Sequence, residues 1–339
     1  WFGAAVALNA DIALIGAPLH GTGGAVYVFD LTTGTQVSKW VPDDSEGGDG
    51  FGWSVALAGT RAVIGAPGDD DNGTDSGAAY VYDVTTATQL SKLRAQDGAA
   101  GDAFGWSVAA SGDAGLVGAV YDDDNGPESG AAYVFNLTNG VQRIKLVPAS
   151  SAQPSGVPTA TPDPLVTPPP NATAEDRSGA QFGYAVALSG ANALVGAAYS
   201  DVGGQDSGAA YVFDLTTGAQ LRQLRASDNV TQDRFGWSLA LAGNVAIVGA
   251  AFDDVDTLVN AGAAYVFDLT NGVQLAKVLP RELAPGAVFG FAVALDGDGA
   301  LFGAPADAAN GPQSGAAYAF DLSVLLLPIP TVNPSGNVN

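Results

Sequence analysis

A segment that begins with Phe-Gly recurs six times along this chain of 339 residues, and it constrains the fold more than any other feature. Successive copies start 49, 53, 78, 53 and 54 residues apart, and the one long step contains a Pro/Thr/Ser-rich insertion at about 148–177. Repeats of this length are typical of propellers and solenoids, in which each unit buries apolar surface only against its neighbours. The copies start at Phe2, Phe51, Phe104, Phe182, Phe235 and Phe289.

Each unit contains four short strand patterns, as residues 51–93 show. FGWSVAL and RAVIGA are mostly apolar, GAAYVYD alternates small and aromatic residues, and TQLSKL alternates polar and apolar residues as a half-exposed edge strand does. Gly, Asn and Thr turns connect them, and no stretch keeps a helical period. We therefore predict an all-β fold, a six-bladed β-propeller of four-stranded antiparallel blades. Seven blades are the less favoured count, and an open solenoid is disfavoured because neither terminal unit resembles a polar cap.

The motifs FGWSVALAG, AVIGAP and GAAYVY of the second unit resemble the FG-GAP repeat, which forms the propeller of integrin α-subunits and of many bacterial surface proteins. The resemblance extends over all six units, about nine-tenths of the chain. It implies one propeller over residues 1–321, followed by a tail at 322–339. It also implies an extracellular or cell-surface location and a role in adhesion or interaction rather than catalysis.

Acidic residues are concentrated at one end of the predicted propeller. The chain has 35 Asp and Glu against 12 Lys and Arg, a net charge of -23, so a nucleic-acid ligand and an anionic membrane surface are disfavoured. Because antiparallel strands alternate in direction, the loops between strands two and three and those between strand four and the next blade emerge on the same face. These loops hold 25 of the 35 acidic residues. This loop face, as we call it, suits cations or cationic partners.

Three loops between strands two and three combine carboxylates with amides, which are ligands that calcium prefers. Solvated turns stabilised by Asp and Asn are the alternative interpretation. In the integrin-like repeats calcium lies in the loop between strands one and two, and only the segment 296–299 (Asp-Gly-Asp-Gly) approaches that pattern here. The candidate calcium ligands are Asp69, Asp70, Asp71, Asn72, Asp122, Asp123, Asp124, Asn125, Asp253, Asp254 and Asp256.

Nothing in the sequence favours an enzyme. The chain lacks cysteine and has a single histidine, His20, so thiol chemistry is excluded and a Ser-His-Asp arrangement would depend on that one residue. The segment ending at Trp40 resembles the docking repeat of quinone-dependent propeller dehydrogenases, but this tryptophan is present in one unit of six. A quinone-dependent or carboxylate-based enzyme is therefore the least favoured hypothesis. The tryptophans that follow Phe-Gly are expected to pack between blades.

The sixth unit departs from the pattern after residue 321, where an apolar run replaces the usual hairpin. This run is expected either to cover the seam of the ring or to pack on another copy, which would make the chain a subunit of an extracellular filament or surface layer. The expected partners are therefore a protein, a glycan or copies of the chain itself. No apolar run approaches the roughly 20 residues of a membrane span. The candidate assembly residues are Val324, Leu325, Leu326, Leu327 and Ile329.

Overall fold

The computed structural model describes residues 1–149, 179–309 and 311–323, whose regular structure consists of 23 β-strands. The strands form six antiparallel sheets that are the blades of a β-propeller, and hydrogen-bonded neighbours follow chain order within every blade. The strands of the first three blades are β1 (Val6–Leu8), β2 (Ile12–Ala17), β3 (Ala25–Asp30), β4 (Thr35–Trp40), β5 (Ser54–Ala58), β6 (Arg61–Ala66), β7 (Ala78–Asp83), β8 (Thr88–Leu93), β9 (Phe104–Ser111), β10 (Ala114–Ala119), β11 (Ala131–Asn136) and β12 (Val141–Leu146). Those of the last three are β13 (Phe182–Ser189), β14 (Asn192–Ala197), β15 (Ala209–Asp214), β16 (Gln220–Leu224), β17 (Phe235–Ala242), β18 (Val245–Ala250), β19 (Ala263–Asp268), β20 (Val273–Val278), β21 (Ala292–Asp296), β22 (Gly299–Ala304) and β23 (Ala316–Asp321).

The predicted all-β propeller of six blades is confirmed, and the four strands expected within residues 51–93 are β5 to β8. Five blades have four strands, and the described residues of the sixth have three. The first strands of neighbouring blades contact one another, so these strands lie closest to the propeller axis.

Consecutive blades dock through the two motifs that define the repeat. The carbonyl group of Gly105, in the Phe-Gly of the third blade, lies so close to Gly65 of β6 that a Cβ atom on Gly65 would overlap it. Ser54 donates a hydrogen bond to the same carbonyl at 2.8 Å. The same approach recurs at Gly118 and Gly249, so in the first five blades the glycine of the second strand is required by the backbone of the next blade.

The cores lie between blades rather than within them. Phe104 packs between Leu93 of the second blade and Tyr133 of its own blade, and all three are almost fully buried. The phenylalanines that begin units two to six have a relative exposure of 0–1%. Each blade is therefore stabilised mainly by burying apolar surface against its neighbours.

Within the part of the chain that the structure describes, the outer sides of the first and sixth blades lack this packing. Phe2 has the position of the buried phenylalanines but is 61% exposed, and a Cβ atom on Gly3 would meet nothing within 4 Å. On the sixth blade Leu301 is 49% exposed, whereas Ile247 at the same position of the fifth blade is fully buried. Leu322, which the sequence assigns to the tail, is buried against the sixth blade.

Candidate functional site

A lysine near the end of β8 joins the two kinds of loop on the loop face. Its ammonium lies 2.8 Å from Asp44, which precedes the second blade, and 2.7 Å from Asp69 and from Asp71, which follow β6. The Asp69 side chain is almost fully buried, and that of Lys92 is only 12% exposed. Desolvation alone would lower the pKa of Lys92, but its hydrogen bonds to the three carboxylates raise that pKa. The group is therefore a largely desolvated ammonium that remains charged.

The same arrangement recurs in the third and fifth blades. Lys145 lies 2.9 Å from Asp97, 2.9 Å from Asp122 and 2.5 Å from Asp124. Lys277 lies 2.8 Å from Asp228 and 2.9 Å from Asp253. In each blade one nearly buried carboxylate shares a lysine with a more exposed carboxylate from the preceding loop. The arrangement holds the acidic loops in a fixed position.

A tyrosine of the third strand completes each of these clusters. Tyr80 donates to Asp69 at 2.9 Å and Tyr133 donates to Asp122 at 2.6 Å, while Tyr265 donates to Asp253. Burial is the main cause that raises the pKa of all three hydroxyls, so they act as hydrogen-bond donors. The lysine ammoniums lie 5.1–5.3 Å from the tyrosine rings, within the range of cation–π attraction.

Two blades replace the charged cluster with other groups. In the fourth blade the buried aspartate is replaced by Ser200 and the lysine by Gln223, which donates to Tyr211 at 3.1 Å. In the first blade the ammonium of Lys39 lies 2.7 Å from Nε2 of His20. The paired change from Asp and Lys to Ser and Gln indicates that the two charged residues depend on each other, because either one alone would be a buried, unpaired charge.

The candidate calcium ligands are distributed between this network and the turns. Asp69, Asp71, Asp122, Asp124 and Asp253 contact a lysine. Three others accept hydrogen bonds from backbone amides in their own loops, namely Asp70 from Asp75, Asp123 from Glu128 and Asp254 from Asn260. Among the described residues, the backbone amide of Asn72 donates to Ser76, and Asn125 and Asp256 are exposed.

In the described ranges no group of three or more acidic, histidine or cysteine side chains is arranged to hold a metal ion. The cation that lies among these carboxylates is an ammonium. Calcium binding at these loops stays a prediction, and a calcium ion would compete with the lysines. The sequence analysis did not identify the lysines. They have the same position in the fourth strand of their blades, and the blade with Ser200 in place of the buried aspartate has Gln223 in place of the lysine. This pattern could have revealed them.

A second set of carboxylates lies beneath the loops that lead into the third and fifth blades. Asp102 accepts a hydrogen bond from the amide of Ala99 at 2.8 Å, and Asp233 accepts one from Val230 at 2.8 Å. Both carboxylates are nearly buried, and burial raises the pKa of each to about 6. These groups brace the loops and change charge in the mildly acidic range.

Half-buried aromatic side chains form a belt near the axis at the same face. They follow Phe-Gly at the start of the first strands, and their ring centroids are separated by 4.7–5.9 Å from one blade to the next. The tryptophans were expected to pack between blades, and they do contact neighbouring blades, but they keep part of their surface open to solvent. The belt consists of Trp53, Trp106, Tyr184, Trp237 and Phe291.

His20 and Trp40, the residues considered for catalysis, contact aromatic and lysine side chains of the propeller. The ring nitrogens of His20 lie beside the hydroxyl of Tyr27, at 3.3 Å, and the ammonium of Lys39. Trp40 is buried and stacks on Tyr82 of the next blade with ring centroids 4.9 Å apart. The assembly candidates Val324 to Leu327 and Ile329 lie outside the described residues, as does nearly all of the Pro-rich insertion.

Comparison with known families gives one result. A family model described as FG-GAP repeat matches residues 35–82, 87–135, 172–213, 219–267 and 273–320, which together are more than two thirds of the chain. No curated protein sequence matches the chain. Over the residues that the structure describes, no helix is both long enough and apolar enough to cross a membrane.

Proposed function

Because this chain belongs to the FG-GAP repeat family, we propose that it is a non-catalytic, extracellular or cell-surface interaction module that binds a protein or glycan through its loop face. The observation that supports this proposal is the combination of exposed carboxylates and half-buried aromatic rings on one preorganised surface. Binding sites are commonly placed on loops that a rigid scaffold holds, and here the lysine clusters supply the rigidity. Fixed loops lose little conformational entropy when a partner binds.

The test compares two charge-reversal variants of the full chain. Asp43, Glu46 and Glu128 are exposed on the loop face and are changed to Lys in the first variant. The matched control changes Asp11, Asp296 and Asp298, which are exposed on the opposite face, to Lys. Both variants and the unmodified chain are screened against a glycan array and a panel of purified surface proteins. We expect the first variant to lose binding at 150 mM salt and the control to retain it. Equal loss in both variants would place binding elsewhere or show it to be non-specific.

A second candidate function is self-assembly into a filament or layer, and the exposed sides of the first and sixth blades favour it. Phe2 already contacts Tyr27 and Phe29 edge-to-face, as its buried counterparts contact the third strands of their own blades. Leu301 lies on the side that, in the other blades, receives the next Phe-Gly. Repeat symmetry makes these two sides complementary, so copies that dock through them make a head-to-tail contact. The apolar run at 324–329 would add to this contact in the filament proposal.

Self-assembly is tested by mixing two variants, Phe2→Asp and Leu301→Asp. Each removes one side of a head-to-tail contact and leaves the other intact, so neither variant should associate alone. An equimolar mixture should form a dimer that grows no further, whereas the unmodified chain should form longer species in analytical ultracentrifugation. Deletion of residues 324–339 tests the contribution of the tail. An unmodified chain that stays monomeric at all concentrations would rule out assembly.

A further inference from the structure

A cavity of about 350 Å³ lies beside the aromatic belt, between the second and third blades. Its apolar walls include Trp53, Trp106, Tyr121 and Pro67, and the carboxyl-bearing residues Asp49 and Asp75 also line it. We call this cavity the blade-2/3 niche. Aromatic walls beside carboxylates attract a cation that is desolvated on one side.

The equivalent niche between the fourth and fifth blades is filled by the protein itself. The guanidinium carbon of Arg234 lies 4.6 Å from the ring centroid of Tyr199, 4.6 Å from that of Phe252 and 5.8 Å from that of Trp237. These distances are within the range of favourable cation–π contacts. The niche between the fourth and fifth blades thus accepts a guanidinium group.

Two small residues explain why the blade-2/3 niche is open. Counting from Phe-Gly in each unit, Ala103 has the position of Arg234, and Gly68 has the position of Tyr199. The remaining walls are kept, since Trp106 corresponds to Trp237 and Tyr121 corresponds to Phe252. The third blade therefore keeps two of the three aromatic walls and lacks the side chain that occupies the niche.

From this comparison we infer that the blade-2/3 niche binds an arginine side chain presented by a partner protein. The guanidinium stacks on Trp106 and Tyr121, as that of Arg234 stacks on their counterparts, while Asp49 and Asp75 supply the opposite charge. The net charge of -23 favours the approach of a basic segment. The inference rests on the proposed interaction function and specifies the kind of partner that the loop face recognises.

The test uses N-acetyl-arginine methylamide as the probe and its neutral analogue N-acetyl-citrulline methylamide as the control ligand. Binding is followed by the fluorescence of the chain's tryptophans, two of which line the niche. We expect the arginine probe to bind at least about tenfold more tightly than the citrulline analogue, because only the former is a cation. Equal binding of the two compounds would overturn the inference.

The variant Ala103→Arg locates the site. Ala103 and Arg234 share a φ of 54°, so arginine fits the backbone at this position, and its guanidinium should fill the niche from within. We expect probe binding to weaken about tenfold or more in this variant. Leu90→Arg, which adds the same charge at an exposed position of β8, should leave probe binding unchanged. Unaltered binding in Ala103→Arg would refute the site.

The same variants separate this inference from the proposed function. If a protein or glycan partner binds the loop face and ignores Ala103→Arg, the niche fails and the interaction function stands. If the arginine probe binds in the niche but no protein or glycan binds the loop face, the niche stands and the interaction function fails. Where Ala103→Arg does not fold, the comparison of arginine with citrulline on the unmodified chain still decides whether a cation is recognised.

Discussion

Replacing Lys145 with Gln tests whether the lysine clusters hold the acidic loops in place. The substitution removes the ammonium that contacts Asp97, Asp122 and Asp124. The first and last of these carboxylates are 40% and 57% exposed, so water can replace the lost partner at little cost. Asp122 is different, because its side chain is only 3% exposed, so water cannot readily replace the ammonium that it loses.

The expected decrease in the free energy of unfolding depends on the contacts that Asp122 retains. Removing one partner of a buried ion pair typically costs about 3–5 kcal/mol. Asp122 keeps the hydrogen bond from Tyr133 at 2.6 Å, and Lys145 is already 20% exposed, so the pair is not fully desolvated. We therefore expect Lys145→Gln to lower the free energy of unfolding by about 2–3 kcal/mol.

The sequence of the fourth blade suggests a second substitution that should restore the lost stability. Adding Asp122→Ser to Lys145→Gln recreates the combination of residues found there, Ser200 and Gln223, and leaves neither charged residue in place. We expect the double variant to recover to within about 1 kcal/mol of the unmodified chain, which is a strongly non-additive result.

The assay is urea unfolding, with midpoints compared at an unchanged m-value. Arg143→Gln is the control, because Arg143 and Asp113 form an ion pair that is about half exposed, and its loss should cost less than about 0.5 kcal/mol. The reasoning is wrong if Lys145→Gln is as mild as this control, or if the added serine destabilises the chain further.

Three further predictions concern other features. Burial raises the pKa of Asp102 from 3.8 to about 6, so the folded chain binds this proton more tightly than the unfolded chain, and the resulting stability is lost as pH rises through about 6. Asp102→Asn should therefore remove part of the stability difference between pH 5 and pH 7 in urea unfolding, while Asp43→Asn, at an exposed site, should not. If calcium binds the acidic loops in competition with the lysines, 10 mM calcium should raise the melting temperature of Lys145→Met more than that of the unmodified chain, and no change in either protein would contradict calcium binding. The methyl group of Gly118→Ala would overlap the carbonyl of Gly183, so this variant should lower the free energy of unfolding by at least about 2 kcal/mol. The methyl group of Gly303→Ala would lie 3.5 Å from Ala292, so this variant should lower it by less than about 1 kcal/mol. If thermal unfolding shows equal destabilisation in the two variants, the outer side of the sixth blade is occupied.

The fold could be predicted because each unit repeats the same local rules. The apolar second strand, the alternating third strand and the turns between them specify a blade within one unit, and six copies then specify the propeller. The same reasoning placed the loops between strands two and three beside those that precede each blade. Lys92 confirms that placement, since it contacts Asp44 and Asp69 at once.

The content of the loop face could not be predicted to the same depth. The carboxylates of Asp69 and Asp122 are chemically suited to calcium, and only the three-dimensional path of the fourth strand shows that a lysine reaches them first. The open sides of the first and sixth blades were missed for a similar reason, because Phe2 carries the same motif as Phe51 and differs only in what lies against it.

The boundaries of the family matches do not coincide with the boundaries of the blades. The first match runs from residue 35 to residue 82, so it joins the outer strand of one blade to the three inner strands of the next. Trp40 and Tyr82, which stack across the boundary between two blades, both lie inside this one segment. A duplication of such a segment copies both halves of a junction together. A tandem duplication can therefore add a blade in one event, because the new blade already carries a surface complementary to its neighbour.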